Sequence, residues 1–301
     1  MPNPTFAAAD AASRALHLVT PEGLASFLAA QAPATAAWLR ATGFEAGPGE
    51  LRLIPGADGT VQAAVAGMGS AKSRARGRFH LARAAAGLPA GAWHLEGDLT
   101  QAEREEAALA FLLQSYRFDR YRPTKSASEP TLLKAPKGVD AARLLAMAEG
   151  EFLTRDLINT PALDMGPEEL EAAFLALADR FHATTQIVRG DDLLAQNFPM
   201  IHAVGRASTR APRLLEMTWG TTGPHLTLVG KGVCFDTGGL DRLDAHPRST
   251  QGSRAVGGSA AVDRRLQGLH GLEPAGNGVG PAAGRVQGLE ALVCLPALLL
   301  R

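Results

Sequence analysis

The sequence predicts an α/β protein in two domains, and three observations carry that expectation. Short apolar runs alternate with stretches of helical periodicity, the pattern of strands separated by helices. The stretch 123–138 collects prolines, serines and three of the chain's five lysines, as linkers between packed units do. With 301 residues, 46% of them hydrophobic and 20% charged, the chain is long enough to bury two cores.

The first domain is expected over residues 1–122, with mixed strands and helices. Leu51–Leu53 and Val61–Val65 flank Pro55-Gly56-Ala57-Asp58-Gly59, a turn cluster that predicts a hairpin. A strand follows at Ala92–Leu95. Thr100 with Glu103 spells a capping box ahead of a helix whose apolar stripe is Leu109, Leu112, Leu113 and Tyr116. After the linker, the second domain opens with a helix from about Val139 to Ile158, which Pro161 forbids from simply continuing. Gly166-Pro167-Glu168-Glu169 starts the next helix, with proline at its first position and two carboxylates near the positive end of the dipole. Leu170, Phe174, Leu177 and Phe181 form its buried stripe. Strands are expected at Thr184–Val188, Arg213–Thr218 and Leu226–Val229, with a helical segment near Asp191–Gln196.

Residues 242–301 differ in kind: ten glycines and seven arginines, but no Lys, Phe, Trp, Tyr or Ile. Such a tail is a poor candidate for the centre of a sheet. GC-rich coding DNA read in a shifted frame yields this vocabulary, and so does true divergence.

Thirty basic and thirty acidic residues cancel, so no nucleic-acid or membrane-surface partner follows from charge. The short basic run Ser73–Arg78 reads as a solvated face. Two cysteines, Cys234 and Cys294, and no secretory leader lead to the expectation of a cytoplasmic protein; no apolar run reaches membrane-spanning length.

Chemistry concentrates in Leu226–Asp241, where an apolar strand runs into Gly230-Lys231-Gly232-Val233-Cys234-Phe235-Asp236-Thr237-Gly238-Gly239. It is not a P-loop, because His225 and Gly232 stand where glycine and Ser/Thr are required, and Phe235 breaks a dinucleotide fingerprint. There is no His-Glu-x-x-His, Cys-x-x-Cys or Gly-x-Ser-x-Gly. By themselves, a lysine and an aspartate in a glycine loop are a surface turn or an ion pair as readily as ligands. His202, in an apolar stretch, reads as a packed or hydrogen-bonded side chain, and Cys234 as a small buried one.

Four ordered blocks nevertheless resemble the leucyl (cytosol) aminopeptidase family of two-metal exopeptidases: Arg155–Ala162, Asp164–Pro167, Asn197–Ala207 and Val229–Asp241. A looser likeness covers Ser115–Tyr121, and Leu163 replaces a usual asparagine. The resemblance implies an α/β catalytic domain over 139–241 with a central sheet flanked by helices, Lys231 and Asp236 as metal ligands, and two divalent ions, zinc or manganese. It also implies peptide substrates, hydrolytic release of N-terminal residues, and a homo-oligomer, a hexamer in the family. A lysine coordinates only as the neutral amine, and water bridging two cations becomes a hydroxide nucleophile near neutral pH.

The pattern then breaks. Where the family continues with Ile-Lys, its lysine polarising the substrate carbonyl, this chain has Arg242-Leu243. Arg254–Ala261 is the nearest echo of the segment that follows a further aspartate ligand, and the ligand is absent in either register. The later Asn-Thr-Asp-Ala-Glu-Gly-Arg motif does not occur. One carboxylate, Asp236, with arginines at 242, 248 and 254 nearby, does not offset two neighbouring dications. The expectation is at most one weakly held ion, little aminopeptidase activity, and, as the competing class, a non-catalytic remnant or pseudoenzyme acting through assembly.

Overall fold

The computed structural model describes residues 3–121, 129–206, 208–221, 225–232, 234 and 288–295, the last stretch and His225 by backbone alone. The chain divides into two compact units, Met1–Glu149 and Gly150–Arg301.

The first unit runs β1 (Arg14–Val19), α1 (Leu24–Ala30), α2 (Pro33–Ala41), β2 (Leu51–Pro55), β3 (Val61–Gly67), α3 (Ala71–Arg74), α4 (Leu81–Ala85), β4 (Gly91–Glu96), α5 (Gln101–Gln114) and β5 (Thr131–Leu133). Its sheet has the order β2-β3-β1-β4-β5; β3, β1, β4 and β5 are parallel, and β2 is antiparallel to β3. Side chains alternate between two cores. Leu16, Leu18, Ala64 and Ala66 join α4 and α5 on one face, while Val19 and Val65 join Leu39 and Phe44 on the other.

Local chemistry builds the predicted features. Asp58 Oδ1 accepts from the Thr60 amide at 3.1 Å and the Thr60 hydroxyl at 2.8 Å, and Gly59 takes φ +79, closing the β2–β3 hairpin. The Thr100 amide donates to Glu103 Oε2 at 2.9 Å and the Glu103 amide to Thr100 Oγ1 at 3.3 Å, completing the capping box of α5. Leu109 and Leu112 are buried; Tyr116 falls just past the helix end. A Cβ on Gly67 would lie 2.1 Å from the Gly47 carbonyl oxygen, so the chain crosses itself there with no room for a side chain.

One difference concerns the expected linker over 123–138. It contains β5, paired parallel with β4 from Gly91↔Thr131 to Trp93↔Leu133, and Leu133 is fully buried. Pro130 and Pro136 bracket rather than interrupt the three-residue ladder, which is how proline is tolerated near a sheet edge.

The second unit continues with α6 (Ala141–Asn159), which begins inside the first unit, then α7 (Pro167–Arg180), β6 (Thr184–Arg189), α8 (Asp192–Ala195), α9 (Pro199–Gly205), β7 (Arg213–Trp219), β8 (His225–Lys231) and β9 (Gly288–Leu295). The helix ends and strands agree with the expectations to within two residues, and α9 and β9 add to them. The sheet order is β6-β7-β9-β8, with β8 parallel and β7 antiparallel to β9. Leu215 and Met217 pack with Leu170 and Phe174 of α7, while Leu214 and Val188 pack with Leu193, Phe198 and Ile201.

β9 corrects the reading of the tail as unfit for the centre of a sheet. Gly288–Leu295 lies between β7 and β8, and its Leu-Glu-Ala-Leu-Val-Cys-Leu run supplies enough apolar residues for a strand without isoleucine or aromatics. Among the described residues, no helix is long and apolar enough to cross a membrane.

Candidate metal centre

β8 delivers the glycine loop. Its last residue, Lys231, pairs with Cys294 of β9 at the C-terminal end of the parallel pair, the end where open α/β sheets present their sites. Lys231 is exposed, while Gly232 is buried. Cys234 packs against the Leu215–Met217 core, and burial pushes its thiol up to about 12, so it behaves as an inert apolar side chain, as expected. Asp236 lies outside the described residues, as do Arg242, Leu243 and Arg254.

Among the described residues, no three His, Cys, Asp or Glu side chains gather as a metal site. Lys231 alone contributes one nitrogen and no negative charge, so the described residues do not fit a pair of dications.

The other sequence blocks build framework. In Arg155–Ala162, α6 ends and Thr160 folds back, its hydroxyl donating to the Asp156 carbonyl at 2.7 Å. In Asn197–Ala207, Asn197 takes φ +64 ahead of α9, and Gly205 allows close approach, since an added Cβ would meet Pro212 at 2.4 Å. His202 Nε2 lies 3.1 Å from Asp191 Oδ1, the hydrogen-bonded role expected of it. Leu163 is exposed.

Sequence reading missed one cluster, a network of three arginines and three glutamates at the start of α7. Glu171 accepts from Arg189 Nε at 2.9 Å and from Arg213 Nη1 at 2.6 Å; Arg213 also binds Glu168 and donates twice to the Ala211 carbonyl. Arg210 Nε donates to Glu168 at 2.8 Å, and its Nη2 binds Glu169, which also accepts from the Gly166 amide at 2.8 Å. Hydrogen bonds from Arg189, working against burial and helped by Arg213, hold the Glu171 carboxyl below its usual range. The signal was present in Gly-Pro-Glu-Glu, but the arginine partners lie 18 to 45 residues away.

The chain is thus an α/β unit followed by a second α/β unit that presents Gly230-Lys231-Gly232 at the end of a parallel strand. The sequence model of the cytosol aminopeptidase family's catalytic domain matches residues 152–279, and that of the M17 aminopeptidase N-terminal domain matches residues 15–133. The chain belongs to this family, the M17 cytosol aminopeptidases. The catalytic-domain match runs past Asp241, where the motif likeness stops, into the glycine- and arginine-rich stretch.

A probable cytosol aminopeptidase of Leifsonia xyli is 33% identical over 233 residues, covering 73% of this chain and 47% of that protein. One from Corynebacterium efficiens is 31% identical over 247 residues, covering 74% and 46%. The crystal structure of a cytosol aminopeptidase from Coxiella burnetii superposes with a TM-score of 0.75 at 32% identity, covering 95% of this chain and 59% of that one. The bottromycin maturation enzyme BotP in complex with Mn gives 0.72 at 28% identity, covering 95% and 60%. The chain spans about half the length of the curated relatives it matches.

Proposed function

We propose that this chain is a cytoplasmic, metal-binding aminopeptidase relative whose hydrolytic activity is strongly impaired. The reaction it derives from is the metal-dependent release of N-terminal amino acids from peptides. The observation that carries the impairment is Arg242-Leu243 directly after Gly-Gly-Leu-Asp, where the family places Ile-Lys. That change removes the group that polarises the substrate carbonyl, and the region of Arg254 lacks the next carboxylate ligand. Losing such groups costs many powers of ten in rate, each about 1.4 kcal/mol. The manganese in the BotP structure supports manganese as the first ion to test, with zinc second. Lys231 and Asp236 are the side chains proposed to hold it, as one weakly bound ion.

Hydrolysis of leucine p-nitroanilide with added manganese or zinc tests the reading, together with a count of bound metal. Release at background and less than one ion per chain are expected; chelator-sensitive turnover would overturn it.

A second reading, action through assembly of copies, draws support from the sheet edge. β8 is an outer strand among those described, and its Leu226 and Val229 are exposed, Val229 at 67%. Sedimentation of the chain as an oligomer would favour it.

A further inference from the structure

The outer strands of the first unit's sheet are β2 and β5, and an outer strand offers a row of backbone groups with which another strand can pair. The register tells which groups those are. In an antiparallel pair, residues alternate between exchanging backbone hydrogen bonds with the neighbouring strand and turning both their N–H and their C=O away from it. The Gly67 amide donates to the Glu50 carbonyl at 2.8 Å and the Gly56 amide to the Thr60 carbonyl at 2.7 Å, so Glu50, Arg52, Ile54 and Gly56 face β3. Leu51, Leu53 and Pro55 therefore face outward.

The chain itself closes each outward position. Arg52 Nη1 donates to the Leu51 carbonyl at 2.9 Å, and Trp38 Nε1, from α2, donates to the Leu53 carbonyl at 3.1 Å. Pro55 has no N–H to offer a further strand. Both side chains are held in place. Arg52 also donates from Nε and Nη2 to the Thr42 carbonyl just past α2, at 3.2 and 2.9 Å, and its Nη2 lies 2.9 Å from Glu50 Oε1. These bonds fasten the end of α2 along the β2 edge, where Trp38 stays 44% exposed while its neighbour Leu39 enters the core. The opposite edge is closed too, since the Ala7 amide donates to the Leu133 carbonyl of β5 at 2.8 Å.

Without its guards, the β2 edge is self-complementary. Two copies of Leu51-Arg52-Leu53 turned antiparallel about Arg52 set Leu51 of one against Leu53 of the other, and the outward N–H and C=O groups then exchange hydrogen bonds at both ends. Each end needs both carbonyls. Arg52 on Leu51, or Trp38 on Leu53, is thus enough to spoil the ladder, and Arg52 would also stand opposite its own copy, like charge against like. We propose that Trp38 and Arg52 are paired edge guards, each sufficient by itself, that keep the first unit from joining a second copy of this chain through β2. This holds whether or not the metal centre is active or the β8 edge pairs.

The test compares the full chain with Trp38→Phe, Arg52→Thr and the double variant, by sedimentation velocity over a range of concentrations and by amide hydrogen exchange read at Leu51 and Leu53. In the parent chain and both single variants, exchange at these amides should not change with concentration, because association through any other surface leaves them open. The double variant should associate, with exchange at Leu51 and Leu53 slowed about tenfold or more as concentration rises. Adding Leu53→Pro to the double variant separates pairing from misfolding. Proline removes an outward N–H and leaves the bonds to β3 in place, so this triple variant should return to the parent's behaviour. The proposal is overturned by a double variant that behaves as the parent does, by association that leaves exchange at Leu51 and Leu53 unchanged, by association that survives Leu53→Pro, or by a single variant that pairs as strongly as the double.

Discussion

Replacing Glu171 by glutamine in the arginine network keeps the shape of the side chain and removes its charge. Glu171 and Arg213 are buried, whereas the Arg189 side chain is 51% exposed. After the change, Arg213 keeps Glu168 and the Ala211 carbonyl, so it loses one charged acceptor, and such a bond contributes about 1.5–3 kcal/mol when buried. Arg189 can turn to water, so its lost pairing adds only about 0–1 kcal/mol. The sum is about 1.5–4 kcal/mol, a large part of the roughly 5–15 kcal/mol of a whole domain. Arg189→Met, by contrast, should cost under about 1 kcal/mol, because Glu171 keeps Arg213. Trp219 lies in β7 of the same unit, so urea unfolding followed by its fluorescence, in a Trp38→Phe, Trp93→Phe background, reads this unit. The pH dependence gives a second check. The folded carboxyl of Glu171 sits below its unfolded value, so its stabilisation is fully present above about pH 4.3 and is lost as pH falls through the folded value. Glu171→Gln should flatten that acid slope. Equal midpoints for the two variants, or an unchanged acid slope, would refute the assignment of the network's stability to the Glu171–Arg213 pair.

Two further predictions concern single residues. Gly67→Ala forces a Cβ to 2.1 Å from a backbone carbonyl that no rotamer change relieves, so this variant should lose about 3 kcal/mol or more and accumulate as insoluble protein, as a solubility assay would show. With its thiol pushed to about 12 by burial, Cys234 in the native chain should be alkylated at pH 8 on the order of a hundredfold more slowly than in urea; peptide mass spectrometry of the Cys234 fragment measures this.

The elements that sequence reading anticipated are those fixed by chemistry close along the chain. The β2–β3 turn needs only Asp58 to Thr60, and α5 needs only Thr100 and Glu103 at its start. β1 escaped because His17 and Arg14 dilute its apolar residues, although both neighbours in the sheet bury it. β5 hid among linker residues and β9 in a tail of unpromising composition, since a strand owes its existence to partners far away in sequence. The same division holds for the sites. Lys231 and Asp236 were singled out through one loop's resemblance to a family motif, and Asp236 lies outside the described residues, whereas the Glu171 network arises only when segments tens of residues apart fold together.

The position of β1 sets a timetable for the nascent chain. It precedes its sheet partners along the chain, yet it occupies the middle of its sheet and waits for both β3 and β4. At roughly 5–20 residues per second, the roughly 40 residues from Val19 to Val61 take a ribosome about 2–8 s to add. During that time Leu16 and Leu18 have no sheet to enter. For the same reason, an engineered deletion of the first twenty residues would remove the keystone of the sheet rather than trim its border.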